Sequence, residues 1–208
     1  MRHVALLGDS IFDNRVYVAP APAVSDQLRT ELGQDWAVSL MAVDGHVTSD
    51  VRDRQIGRLP EGTSHIVISV GGNDALGHAF LLSEGARSVA EAVSRLADAQ
   101  ARFARSYEEM VDAVLALGLP TAVCTIYDAN YPEPQRRLVV SALSLFNDVI
   151  TRIAFSRRLH LIDLRLICSE PADYANPIEP SAQGGEKIAK VIADLVRSGL
   201  AERSSIWT

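Results

Sequence analysis

Apolar residues fall along this chain in two alternating rhythms. Short unbroken runs rich in Val, Ile, Leu and Ala occupy residues 3–7, 37–43, 65–70, 121–127 and 160–164, with longer amphipathic stretches between them. The runs predict five strands. Because they are continuously apolar rather than alternating, they predict strands covered on both faces, as in a parallel sheet flanked by helices. The alternation of strand and helix then points to a doubly wound α/β domain.

The helical stretches carry their own signals. Ser88 followed by Glu91 fits a capping box and predicts a helix running to a stop at Gly118. Val89, Val93, Leu96, Phe103, Tyr107, Met110 and Val114 mark one face of it. A second stripe, Val139, Ala142, Leu143, Phe146, Ile150 and Ile153, predicts another helix packed on the sheet, and Ile188, Val191, Ile192 and Leu195 a last one. All three stripes are expected to be core. No repeat, low-complexity tract or Ser/Gly linker divides the chain, which predicts one domain over residues 1–208. The Pro-containing segments 17–22, 130–134 and 171–180 fall at strand-to-helix connections. In an open α/β sheet, connections that come after the carboxyl ends of strands are where ligands bind.

Composition changes this picture little. A chain of this length buries roughly 70% of its unfolded surface, so stability requires neither metal nor disulfide and says nothing about cofactors. The formal net charge of −6 is spread without any block of Lys or Arg, which argues against nucleic acid as a partner. Gly118, Pro120 and Thr121 interrupt what reads as the most apolar part, and no run approaches the ~20 apolar residues of a membrane span, so membrane insertion is not expected. The opening MRHVALLGDS runs straight into the first strand, which predicts a chain without a secretory leader and a cytoplasmic location. Cys124 and Cys168 have the spacing of neither a disulfide framework nor a zinc site. Both are expected to be reduced, with Cys124 buried in a strand. Oligomeric state, and whether Trp207 covers a core or meets a partner, leave no mark in the pattern.

The candidate chemistry gathers at strand ends. Leu7-Gly8-Asp9-Ser10 closes the first strand and leaves the Ser10 hydroxyl at its carboxyl edge, as a nucleophile or as ordinary turn and N-cap chemistry. Ser69-Val70-Gly71-Gly72-Asn73-Asp74 closes the third strand and puts the Asn73 amide at the same edge, where it can donate to an oxyanion or serve an Asx turn. After the second strand, in Val43-Asp44-Gly45-His46, Gly45 either offers a bare backbone N–H to that point or simply makes a turn.

In this order, Gly-Asp-Ser, a glycine after the second strand and Gly-Gly-Asn-Asp after the third resemble the first three sequence blocks of the SGNH (GDSL-type) hydrolases. The resemblance covers essentially the whole chain. It implies a three-layer α/β/α, flavodoxin-like fold with a five-stranded parallel sheet. It further implies Ser10 as nucleophile, with the Ser10 N–H, the Gly45 N–H and the Asn73 side chain as oxyanion hole. The activity implied is hydrolysis of an ester or thioester, here of a small-molecule ester, without metal or organic cofactor.

The fourth block departs from that pattern. Where the family places Asp-x-x-His before the last helix, this chain has Asn176 at the aspartate position and Glu179 at the histidine position, within an ANPIEPSA segment that resembles a subgroup of SGNH-like sequences. A nucleophilic serine needs a base that takes its proton and returns it to the leaving alkoxide. Glutamate, at pKa ~4.3, is weaker than imidazole at ~6.5 unless burial raises it. Glu179 is therefore either the base, or a cap of the last helix, or a partner of Lys187. Among the histidines, His3, His65 and His160 begin strands at the opposite edge, whereas His46 and His78 lie on the side of Ser10 and are the alternatives to Glu179 as base, or solvated loop residues. Asp9, Asp13, His46, Asp74, Tyr127 and Asn176 complete the candidate substrate-binding set, Asn14 and Asp128 lie nearby, and Asp163 reads as a structural residue inside the fifth strand. The expected protein is a serine esterase acting on a small ester. The alternatives are an inert SGNH fold that binds a ligand or protein, and an acyltransferase.

Overall fold

The computed structural model describes residues 2–199 and 205–208. Its strands are β1 (Arg2–Gly8), β2 (Trp36–Leu40), β3 (His65–Ser69), β4 (Thr121–Cys124), β5 (His160–Ile162), β6 (Tyr174–Asn176), β7 (Glu179–Pro180) and β8 (Ile206–Trp207). Its helices are α1 (Arg15–Val18), α2 (Val24–Leu32), α3 (Thr48–Asp50), α4 (Gly72–Leu76), α5 (Val89–Leu115), α6 (Gln135–Ser156), α7 (Leu164–Ile167) and α8 (Ala182–Ser198). The main sheet runs β2-β1-β3-β4-β5-β8, and every neighbouring pair is parallel.

The sheet thus has six strands, not the five expected. The sixth, β8, pairs Ile206 and Trp207 with Leu161 and Ile162 of β5. Two residues make no apolar run, so no period could reveal it. Trp207 packs against the core from this edge strand. Asp163 also lies outside β5, at the start of α7, where its carboxylate accepts from Thr125 and pairs with Arg165.

Alternation along β1 divides the core. Val4 and Leu6 face α2 and α8, while Ala5 and Leu7 face α5 and α6, so each side of the sheet is a separate apolar layer. Cys124 and Cys168 are buried free thiols in the first of these layers.

Helix length decides what happens beyond the sheet. α5 has 27 residues and α6 has 22, against five and four in β3 and β4. At a rise of ~1.5 Å per helical and ~3.3 Å per strand residue, helices of about 40 and 33 Å flank strands of about 17 and 13 Å. Both helices start at the carboxyl edge, so their first turns overhang it. The core expectation for the two stripes therefore holds only in their C-terminal halves. Phe103, Tyr107, Met110 and Val114 are buried, as are Phe146, Ile150 and Ile153. Val89 and Val93 are exposed, whereas Leu96, Val139, Ala142 and Leu143 line a cavity. At the start of α5, Ser88 Oγ accepts from the Glu91 N–H, but the Glu91 carboxylate turns to the Arg87 N–H, leaving the capping box one-sided. Among the described residues α6 is long and apolar enough, by length and composition, to cross a membrane, whereas the sequence pattern puts the most apolar part near Gly118. In this fold its C-terminal half lies against the sheet and its N-terminal half against the cavity.

Candidate active site

The turn that presents Ser10 depends on a glycine. Gly8 has φ +131°, and a Cβ there would stand 1.8 Å from the Ser69 carbonyl oxygen, so only glycine lets β1 turn while still paired with β3. Asp9 N–H donates to that same oxygen at 3.1 Å. The Asp9 carbonyl then accepts from the Phe12 and Asp13 N–H groups, and its carboxylate from the Ile11 N–H, closing a tight turn around Ser10.

A residue the sequence pattern did not single out holds this turn from behind. Gln55 is buried at the end of a π-helical turn, Val51–Gln55, that continues α3. Its side-chain oxygen accepts from Gly8 N–H and its amide donates to Gly8 C=O, both at 2.8 Å. The amide also reaches His46 Nδ1 at 2.9 Å, which makes that nitrogen the acceptor. His46 C=O in turn accepts from Asn73 Nδ2 at 3.0 Å. One chain of hydrogen bonds thus joins the ends of β1 and β3 to the loop after β2. Asp74 reinforces it by accepting from Thr48 N–H and Oγ1. No motif marks Gln55, because its partner lies 47 residues away.

Glu179 arrives on a separate small element. β6 and β7 form an antiparallel hairpin, with Asn176 opposite Glu179. Tyr127 donates its hydroxyl to Ile178 C=O at 2.6 Å, Asn130 N–H donates to Pro177 C=O at 2.8 Å, and Asn14 Nδ2 donates to Pro180 C=O at 3.4 Å. Asn176 Oδ1 accepts from Ile178 N–H within the turn itself. The hairpin brings Glu179 Oε1 to 3.0 Å from Ser10 Oγ, which donates to it. The structural alternatives for Glu179 are taken by other residues: Ser181 caps α8, and Lys187 pairs with Glu170 and Asp173.

Both Ser10 and Glu179 are buried, and Glu179 Oε2 has no hydrogen-bond partner among the described residues. Burial pushes the Glu179 carboxyl up to about 7, against the opposing effect of the Ser10 hydrogen bond and with a small addition from Asp44. Burial likewise pushes Asp9 up to about 8, opposed by the Ile11 N–H and helped by Glu179 and Asp74.

These groups open onto a cavity of about 310 Å³. Asp9, Ser10, Asn73, Tyr127 and Glu179 line it; Gly45, Asp13, His46, Asp74 and Asn176 do not. Gly45 is an exposed turn glycine at φ +81° beside His46. Asp13 accepts from Asp44 N–H in that neighbouring loop. His78 also lines the cavity, packed beside Phe80 and Phe146, with a buried Nδ1 that has no partner among the described residues. His3, His65 and His160 hydrogen-bond Ser39, Ser64 and Ser205 at the far edge. Among the described residues no three His, Cys, Asp or Glu side chains gather as metal ligands would.

A single parallel sheet covered by helices on both faces is the three-layer architecture of the SGNH hydrolases. The chain belongs to the GDSL-like Lipase/Acylhydrolase family, whose pattern it matches over residues 6–187. Among solved structures it is similar to a lipase from a goat rumen metagenome, at 16% identity and TM-score 0.73, covering 97% of this chain and 99% of that one. It is also similar to phospholipase A1 from Streptomyces albidoflavus, at 20% identity and TM-score 0.67 over 96% and 99% of the two chains. The M. smegmatis aryl esterase gives 16% identity and TM-score 0.66 over 97% and 100%. At these identities the likeness is one of fold. No curated protein matches the sequence significantly. Family and fold together support an ester-hydrolysing acylhydrolase.

Proposed function

We propose that this protein is a serine esterase in which Glu179 takes the place of the usual histidine base. The observation that carries the reading is the 3.0 Å hydrogen bond from Ser10 Oγ to Glu179 Oε1 inside the cavity. A nucleophile–base pair at this distance can transfer the proton directly. A carboxyl pushed up to about 7 is a far better base than an ordinary glutamate, yet still ionised in half or more of the molecules at neutral pH and above.

In this mechanism Ser10 Oγ attacks the ester carbonyl as its proton passes to Glu179. The tetrahedral oxyanion is held by the Ser10 N–H and by the Asn73 amide, which keeps a second N–H after donating to His46. Gly45, exposed and outside the lining of the cavity, takes no part in this hole. Glu179 then returns the proton to the leaving alkoxide, and the acyl group stays on Ser10. Water, giving its proton to Glu179, attacks the acyl-enzyme and releases the acid, with the proton returned to Ser10.

A fluorophosphonate probe followed by peptide mass spectrometry tests this reading. Labelling is expected at Ser10, absent in Ser10→Ala, together with turnover of a short ester that the same substitution abolishes. A folded protein that is neither labelled nor active across pH 6–9 would overturn it.

A further inference from the structure

The overhanging halves of α5 and α6 do more than extend past the sheet. Leu82, Leu96, Val139, Ala142, Leu143 and Phe146 give the cavity a mainly apolar lining, with His78 beside Phe146. Leu76 and Leu138, both more than two-fifths exposed, extend it to the rim. Helical stripes that should meet a sheet meet empty space instead, and apolar surface of this extent is costly to leave against water. No Lys or Arg lines the cavity, and its ionisable carboxyls, Asp9 and Glu179, are both at the Ser10 end.

From this lining we infer that the cavity is an acyl site for a neutral ester with an unbranched aliphatic chain of medium length, an inference that rests on the esterase reading above. The alcohol must leave and water must enter while the acyl group stays on Ser10, so the apolar lining is assigned to the acyl chain. A methylene is about as large as a water molecule, which occupies about 30 Å³, so the volume of about 310 Å³ holds on the order of ten such groups. A chain of roughly eight carbons fits with room for the ester head. A carboxylate or phosphate head is disfavoured because it would sit beside Asp9 and Glu179 with no Lys or Arg to meet it.

Affinity for methyl butanoate, hexanoate and octanoate, measured by calorimetry on Ser10→Ala at pH 8, tests this without turnover. Each added methylene is expected to tighten binding about threefold to fourfold. Octanoate anion is expected to bind at least tenfold more weakly than its methyl ester. Ala142→Trp, or Val139→Trp if the first does not fold, is expected to flatten the gradient beyond butanoate. A gradient that is flat in the parent protein, equal binding of anion and ester, or a gradient untouched by tryptophan in the lining would each overturn the assignment. The two proposals fail separately. Chain-length-dependent binding with an unreactive Ser10 removes the esterase and keeps the acyl site. A reactive Ser10 with no chain-length dependence does the reverse.

Discussion

Ser10 and Glu179, the proposed nucleophile and base, reach their 3.0 Å hydrogen bond from different elements and are held in different ways. Ser10 follows β1, an interior strand of the six-stranded sheet, with a turn fixed by Gly8, by the Ser69 carbonyl and by the Gln55 side chain. Glu179 sits on a two-stranded hairpin outside that sheet, held by hydrogen bonds from Tyr127, Asn130 and Asn14 to its carbonyls and from its own Tyr174 hydroxyl to the Asp128 and Cys168 carbonyls. The first side is backbone geometry that hardly any substitution leaves intact. The second is a docked element whose hold can be loosened one bond at a time. The base exchange proposed above is easier to accommodate on such an element, because changing the side chain at 179 leaves the main sheet's pairing untouched.

The largest effect should come from breaking the rigid side. Gly8→Ala puts a methyl group into the Ser69 carbonyl at a φ that L-residues rarely adopt, and is expected to cost several kcal/mol in urea denaturation or to prevent folding. On the docked side the sign reverses for one substitution. A carboxyl raised from 4.5 to about 7 means that the native state holds more protons than the unfolded chain between those values. Stability is therefore lost as pH rises through that window, and the penalty is complete above about 7. Glu179→Gln removes it, and should stabilise the protein at pH 8 by up to about 3 kcal/mol, with little difference at pH 4. Thermal melts at both pH values check this; equal stability at pH 8 would mean that Glu179 is not strained by burial.

Smaller effects sharpen the contrast. Gln55→Leu removes the two bonds to Gly8 and the one to His46, and should cost about 2 kcal/mol, seen as a Tm lowered by roughly 4–8 °C, with kcat falling as the Ser10 turn and the Asn73 loop lose their common anchor. Tyr127→Phe removes only the bond to Ile178 C=O. About 1 kcal/mol is expected. Hydrogen exchange should then rise over residues 174–180 and stay unchanged over 4–10; a rise on both sides would mean that the hairpin is not an independent unit.

The same division governs how much the amino-acid pattern reveals. β1, β3 and the positions of Ser10 and Asn73 can be read directly, because continuous apolar strands end at glycines and place the next residues at fixed offsets. Glu179 can be read as an anomaly in its block, but its bond to Ser10 spans 169 residues and depends on a hairpin of three and two residues, too short for a period to show. Gly45 is legible as a turn glycine, whereas its place relative to the cavity depends on a loop that no local rule specifies. The stripes of α5 and α6 are legible as apolar. Whether Val139 or Ala142 meets core or cavity depends on where the strands stop, which is a property of two elements together. Gln55 left no signal, since a buried glutamine within a π-turn looks in sequence like any polar residue near a helix end.

The most direct test of Glu179 as base is the rate of fluorophosphonate labelling of Ser10 as a function of pH, in the parent protein and in Glu179→Gln. The parent rate should rise through a single inflection near pH 7, where burial places the Glu179 carboxyl, and reach a plateau as that group ionises. In Glu179→Gln the plateau should be lower by about 10²-fold or more, and the inflection near pH 7 should vanish. Because a histidine titrates in the same range, the substitution and not the inflection identifies the base. Full labelling with an unchanged profile in Glu179→Gln, together with its loss in His78→Ala or His46→Ala, would contradict the account.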